Sequence, residues 1–444
     1  MPLADRTLRF ALFASAFLAL LVSPVAQVTD STYTLLISQS LLENGSFDIG
    51  SYRLGARDGA RPADARTLAE SDPLPRQLVR FGETVVSAYP PGGAILSTPA
   101  VAVAKLLDAA PAAPDGEYDL GREVRLQRII ATLLMAAFAV VAYDTARLLL
   151  PTGPALLVSI SATFGTQVWS TASRGVWSHT WGILILSIIL ERIARHEFAA
   201  TPVRPVWLGA LAALLFWVRP TFAIPIATIS AFLIVRRVRT GAAFTASAAV
   251  GCAAFAAWSL ATHGMLVPNY YTGYWMSLSN VREALAGHLV SPSRGLLIFA
   301  PATVFVSVLA LRYWQRARSR GLLLLAFATI ALHVALISAS PQWWGGRCYG
   351  PRLTADLVPW FVLIAVIAID AFRRAESERG RRGRALRLAG YTAALLGVLM
   401  NAPGALSEAS MDWNAGPPNI QQEPRRLWSW SDPQFLAWRS RATR

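Results

Sequence analysis

Apolar runs long enough, or nearly so, to cross a bilayer dominate this chain, and they constrain its fold more than any other feature. They fall at 10–28, 127–150, 154–171, 176–194, 206–218, 220–235, 243–262, 294–311, 321–339, 356–372 and 388–406. Only helices and closed barrels satisfy their own backbone in lipid, and runs of this length read as helices. The expected fold class is therefore an all-α polytopic membrane protein with about eleven transmembrane helices. Composition agrees: charged residues make up 15% of the 444, against roughly a quarter in soluble domains.

The net charge of +15 invites a nucleic-acid reading, but the placement of the arginines argues against it. Gaps 191–205, 236–242, 312–320 and 373–387 hold three, three, four and seven arginines. The alternate gaps 172–175, 219, 263–293 and 340–355 hold one or two each. That alternation is the positive-inside pattern and puts the arginine-rich gaps in the cytoplasm. The Arg373 to Arg387 cluster then reads as a topology signal and an anchor for anionic membrane lipids, and no nucleic-acid partner is expected. Residues 10–28 have the grammar of a signal peptide, yet with so many spans behind them they read as a retained first helix with a cytoplasmic N-terminus. Cys252 and Cys348 are too few for a disulfide framework. No CxxC, HExxH, Walker-type or GxGxxG motif occurs.

The transmembrane domain is expected over 1–406, with 27–125 as a long first extracytoplasmic loop and 407–444 as an extracytoplasmic tail. Apolar positions at helical spacing across 28–42 predict an amphipathic helix on the membrane surface, with Thr29, Asp30 or Ser31 as N-cap. Residues 50–82 read as charged and irregular, and Tyr89-Pro90-Pro91-Gly92-Gly93 as a sharp break. The run 94–107 is short for a span and reads as interfacial or re-entrant. The tail, with Trp413, Trp428, Trp430 and Trp438, is expected to pack on the outer surface.

One loop stands out. Between two apolar runs, 340–352 carries Trp343, Trp344, Gly345, Gly346, Arg347, Tyr349, Gly350, Pro351 and Arg352. Its glycines and prolines prevent a regular helix and let the backbone approach a ligand. Arginine can grip phosphate oxygens through two parallel hydrogen bonds, while Trp and Tyr suit sugar faces or the lipid headgroup level. The reading is a pocket for a lipid-linked phosphate; the alternative is an interfacial turn with aromatic anchors. The expected topology brings Asp30, Arg174, Trp177, His179, Arg219, Arg347 and Arg352 to the same side. Charged groups at membrane ends are costly unless paired or wet, so they are functional candidates. Each has a plainer alternative: Asp30 as a cap, His179 as a packing residue, Arg219 before Pro220 as the end of a helical hairpin.

Four pieces together resemble the GT-C superfamily, multi-span glycosyltransferases that use polyprenyl-phosphate sugars. They are Asp30 at the start of the first outer loop, Tyr89-Pro90-Pro91-Gly92 before a short apolar run, Gly209 with Arg219-Pro220, and Trp344-Gly345-Gly346 with Tyr349-Gly350-Pro351-Arg352. The likeness is greatest to bacterial protein O-mannosyltransferases, the aminoarabinose transferase and arabinofuranosyltransferases. It implies an inverting transfer, at the outer face of a bacterial plasma membrane, from a polyprenyl-phosphate sugar donor to a glycan, lipid or protein acceptor. Carried onto this chain, Asp30 is the catalytic base. Arg352 and Arg347 grip the donor phosphate, seconded by Arg219, Arg174 and His179. Tyr33, Tyr89, Trp344 and Tyr349 line the sugar and lipid pocket. Many of these families pair two acids in the first loop; here Ser31 follows Asp30, which favours a site without metal or other cofactor over one holding a divalent cation. The rival readings are a lipid or sugar transporter, for which an inverted repeat is lacking, and an O-antigen-type polymer ligase.

Overall fold

The computed structural model describes residues 3–55, 65–67, 74–271, 277–376 and 380–441. The fold is all-α apart from two small hairpins. In chain order the helices are α1 (Leu3–Leu21), α2 (Thr34–Asn44), α3 (Gly92–Leu106), α4 (Leu120–Arg147), α5 (Thr152–Phe164), α6 (Ser178–Ala199), α7 (Pro205–Val218), α8 (Ala223–Arg236) and α9 (Val238–His263). They continue as α10 (Val281–Val290), α11 (Leu296–Phe299), α12 (Pro301–Arg312), α13 (Arg320–Ser338), α14 (Val358–Ala375) and α15 (Arg381–Leu406). Among the described residues five helical segments are long and apolar enough to cross a membrane: α4, α9, α13, the stretch Arg352–Ala375 containing α14, and α15. Five shorter apolar helical segments accompany them. By length and composition the count thus stops short of the eleven expected from the runs.

Helix α14 is the axis of the bundle. From Val358 to Ile369 its residues are apolar on every face, Pro359 sits in the first turn where its missing N–H costs nothing, and 89% of its apolar stretch is buried. By contrast α9 and α15 turn most of their apolar surface outwards. Helices α7 and α9 pack through small residues: a Cβ at Gly209 would lie 2.4 Å from the Phe244 carbonyl oxygen, and one at Gly251 would lie 2.3 Å from the Ala213 Cβ. That is how apolar helices approach closely when no water drives them together.

The first loop differs from expectation. Helix α2 is no surface helix, because Leu35, Leu36, Ile37, Ser38, Gln39 and Ser40 are buried in succession and leave no solvent face. It lies beneath α3 and two antiparallel hairpins, β1 (Arg53–Gly55) with β2 (Ala65–Thr67) and β3 (Leu78–Phe81) with β4 (Thr84–Ser87). The stretch 50–82 is therefore partly ordered as β-structure. Polar α2 residues are answered internally: Gln39 bonds both the carbonyl and the N–H of Ala112, and the Leu35 N–H donates to Glu123. The N-cap is not Thr29, Asp30 or Ser31 but Tyr33, held at φ +71°. The run at 94–107 forms helix α3, seated against the end of α7, where a Cβ on Gly92 would meet backbone at 2.4 Å.

Two further breaks set up the site. After α7 the chain is extended at Arg219 and enters a single 3-10 turn at Pro220–Phe222, as an X-Pro step dictates. Between α5 and α6 a five-residue π turn, Val168–Ala172, replaces the continuous helix expected to residue 171. The tail packs on the 340–352 loop, Trp413, Ile420 and Leu427 clustering with Trp343 and Trp344.

The arginine bias predicts opposite membrane sides for the 340–352 loop and the 373–387 gap. In a Cys252→Ser background, Arg347→Cys should react with an impermeant maleimide in intact cells, and Arg381→Cys only after permeabilisation. Labelling of both in intact cells would overturn this orientation.

Candidate functional site

A small cavity of about 60 Å³ lies where the first loop meets the bundle, lined by Asp30, Tyr89, His179, Arg219, Tyr270, Tyr271 and Arg352 with their neighbours. Its central contact spans almost the whole chain. Arg352, in the 3-10 turn that leads into α14, donates from Nη1 to Asp30 Oδ2 at 2.7 Å. Arg76 donates to the other Asp30 oxygen at 3.1 Å. The Arg352 guanidinium also lies 4.4 Å from the ring centre of Trp177, a cation–π contact in a nearly dry setting.

Below this pair sits a second cluster. Asp356 stands four residues after Arg352, one turn deeper. Its Oδ1 lies 2.8 Å from His179 Nδ1, and its Oδ2 lies 3.4 Å from Arg219 Nη1. Arg219 Nη1 in turn lies 2.6 Å from His179 Nε2. The network assigns Nδ1–H as donor to Asp356 and Nε2 as acceptor from Arg219. All three side chains are buried, so each depends on the others for compensation of its desolvation. The Arg219-Pro220 step is what frees the Arg219 side chain from the α7 face to reach this cluster.

Three guanidiniums (Arg76, Arg219, Arg352) face two carboxylates (Asp30, Asp356), so with neutral His179 the site carries one net positive charge. A site of that charge favours an anion. Burial alone would push the Asp30 carboxyl up, but Arg352 and Arg76 outweigh it and hold Asp30 below its ordinary value. A hydrogen bond from Tyr89 adds to this. Burial, and then the Asp30 charge, raises the Tyr89 phenol, so Tyr89 stays a donor. Tyr270 packs against it with ring centres 4.7 Å apart and the planes tilted by 46°.

Of the residues singled out in the sequence, Asp30, Tyr89, Trp177, His179, Arg219 and Arg352 come together here. The others do not line the cavity. Arg347 is exposed on its loop. Arg174 is buried elsewhere, donating to the carbonyls of Leu20 and Ser23 and so fixing the end of α1. Tyr349 donates to the Met400 carbonyl at 2.6 Å and packs on Phe299. Trp344 belongs to the cluster with the tail, and Tyr33 is buried against Tyr118. Conversely, Asp356, Arg76, Tyr270 and Tyr271 were missed. Asp356 had a signal, being the only acid between Arg320 and Asp370, and an acid in an apolar run is a functional candidate. The other three fall in long polar gaps with nothing to single them out.

Among the described residues no group of three His, Cys, Asp or Glu could hold a metal ion. Compared with known proteins, the chain matches no family model and no curated protein.

The geometry makes two stability predictions. Because folded Asp30 sits below its unfolded value, its ion pairs contribute fully above about pH 4 and are lost as pH falls through the folded value. Thermal melts from pH 7 to pH 3 should therefore show an acid limb that is shallower in Asp30→Asn. Asp356→Ala, which strands Arg219 as a buried unpaired cation, should cost about 3–5 kcal/mol in denaturant titration; a loss under 1 kcal/mol would mean that Arg219 finds water instead.

Proposed function

We propose that the chain is an inverting glycosyltransferase that moves a sugar from a polyprenyl-phosphate donor to a glycan, lipid or protein acceptor. Its site opens on the outer side of a bacterial plasma membrane, within a bundle of about eleven spans. One observation carries this reading: Asp30 and Arg352, 322 residues apart, meet at a cavity with net positive charge beside aromatic rings.

In the reaction the acceptor hydroxyl oxygen attacks the anomeric carbon from the face opposite the phosphate. Its proton passes to Asp30, the anomeric C–O bond breaks, and the electron pair leaves on the phosphate. Arg352 and Arg219 stabilise the charge that develops there. The Asp30–Arg352 pair supplies the switch this needs. Asp30 occupies Arg352 much as a phosphate would, and that pairing weakens Asp30 as a base. A donor phosphate competing for Arg352 releases the carboxylate and raises its basicity at the moment it is required. His179 and Asp356 position Arg219 from below. At 60 Å³ the cavity admits little more than a phosphate, well below the roughly 300–1,000 Å³ of common ligand sites. A bound sugar therefore requires the lining side chains to move aside. Arginines rather than further acids surround Asp30, which supports transfer without a divalent cation.

The test is purified protein with a radiolabelled polyprenyl-phosphate sugar, scored for release of free polyprenyl phosphate; a transporter releases none. Asp30→Asn should lower turnover by roughly 10²–10⁴-fold while donor affinity survives or improves. Arg352→Lys should lose about 2–4 kcal/mol of transition-state stabilisation, because a point charge cannot copy the fork. Activity should persist in chelator. Wild-type turnover in Asp30→Asn would remove Asp30 as the base.

A further inference from the structure

The wall of the cavity at Asp30 holds more hydrogen-bond donors than the protein itself uses. Trp177, Ser31 and Arg352 line it and are only 2%, 4% and 6% exposed. Arg352 gives Nη1 to Asp30, whereas its Nε, the Trp177 Nε1 and the Ser31 Oγ have no hydrogen-bond partner among the described residues. Polar atoms unpaired at such depth are costly, and three of them around one cavity of about 60 Å³ call for an occupant. The same wall decides what chemistry that occupant has. Indole and guanidinium N–H groups only donate. The Asp30 carboxylate already accepts from Arg352, Arg76 and Tyr89, and His179 Nε2 accepts from Arg219. A water here would have to place its own protons against that wall; an oxyanion has none to place. Helix α6 starts at Ser178 without a side-chain cap, and Ser178 and His179 line the same cavity, so the positive end of a 22-residue helix adds to the bias.

We infer that Trp177 and Ser31 are phosphate-binding residues: the indole N–H and the hydroxyl, together with Arg352 Nε, hold the non-bridging oxygens of the lipid-linked phosphate. This rests on the glycosyl-transfer reading above and gives it a geometry. The phosphate engages Arg352 at Nε, the nitrogen that Asp30 leaves open, while Asp30 holds Nη1. Base and leaving group thus meet different atoms of one guanidinium. Trp177 is suited to the task because its ring lies against that guanidinium, 4.4 Å from centre to Cζ, which fixes the indole where its N–H is wanted. Being neutral, Trp177 and Ser31 add hydrogen bonds to the anion without adding charge to the site.

The experiment is NMR of the full-length protein in detergent micelles with isotopically labelled tryptophan indoles, titrated with polyprenyl phosphate, with the polyprenol of the same chain length, and with inorganic phosphate. The Trp177 signal is the one missing from Trp177→Phe, which keeps a ring against Arg352 but has no N–H. Polyprenyl phosphate should move that signal downfield, as a new hydrogen bond to an anion does. Polyprenol should leave it in place, and inorganic phosphate should move it only at much higher concentration. In binding titrations Trp177→Phe and Ser31→Ala should each weaken polyprenyl phosphate by roughly 10- to 100-fold, the worth of one hydrogen bond to a charged group. Trp430→Phe, in the tail and 63% exposed, should leave binding unchanged. Should Trp177→Phe misfold, Ser31→Ala tests the same cradle from the first loop. A stationary Trp177 signal, an equal shift with polyprenol, inorganic phosphate binding as tightly as the lipid, or undiminished binding in either variant would each overturn the assignment. The two readings part cleanly: a protein that binds polyprenyl phosphate through Trp177 but transfers no sugar keeps this site and loses the glycosyltransferase, and turnover with undiminished binding in both variants does the reverse.

Discussion

A guanidinium cannot be left bare in an apolar bundle, and much of this structure follows from where the buried arginines find their partners. Arg352 finds Asp30, Arg219 finds Asp356 and His179, Arg174 finds the carbonyls of Leu20 and Ser23 at and just beyond the end of α1, and Arg294 finds Gln434 and Asn414. Each of these contacts joins segments distant in sequence. The Arg352–Asp30 pair in particular closes the first loop onto the start of α14, so the position of the carboxylate is fixed from the centre of the bundle.

These pairings differ in what they leave available. Arg174 is saturated by carbonyls and a hydroxyl, neutral acceptors that hold it without offering a charge to anything else. Arg352 instead shares a carboxylate with Arg76, and its own Nε has no partner among the described residues. Such a group retains capacity for a second anion. That contrast, rather than the presence of arginine alone, separates the cavity from the scaffolding around it.

The sequence made the apolar runs legible because their length is imposed by the bilayer, and it made the 340–352 loop legible because glycine, proline and arginine seldom coincide between two such runs. The Arg219-Pro220 break could be read for a related reason: an X-Pro step forbids helix at the preceding residue. Other features lay beyond it. Residues 28–42 have the spacing of an amphipathic helix, but spacing does not say what will cover the polar side, and here Glu123, Ala112 and the hairpins do. Trp344 and Tyr349 have the right types for a sugar pocket, yet their loop turns at Gly345, Gly346 and Gly350, all at positive φ, and directs them into the protein. Side-chain direction through three left-handed residues is not written in a pattern of residue types. Asp356 was hidden differently, absorbed into the start of an apolar run that holds only one other acid, Asp370 near its far end.

Gln434 has a consequence for how the protein comes to be. Its side chain lies beside Arg294, accepts from the Gly350 N–H, and donates to the carbonyls of Cys348 and Ser410. It therefore satisfies a buried cation and pins the backbone of the loop that leads to Arg352. Gln434 is synthesised after every helix of the bundle. Until it emerges from the ribosome, Arg294 lacks one of its acceptors, and the Cys348 carbonyl and Gly350 N–H lack their Gln434 partner. The Gln434 hydrogen bonds of the loop that leads to Arg352 therefore form only once translation has passed the bundle.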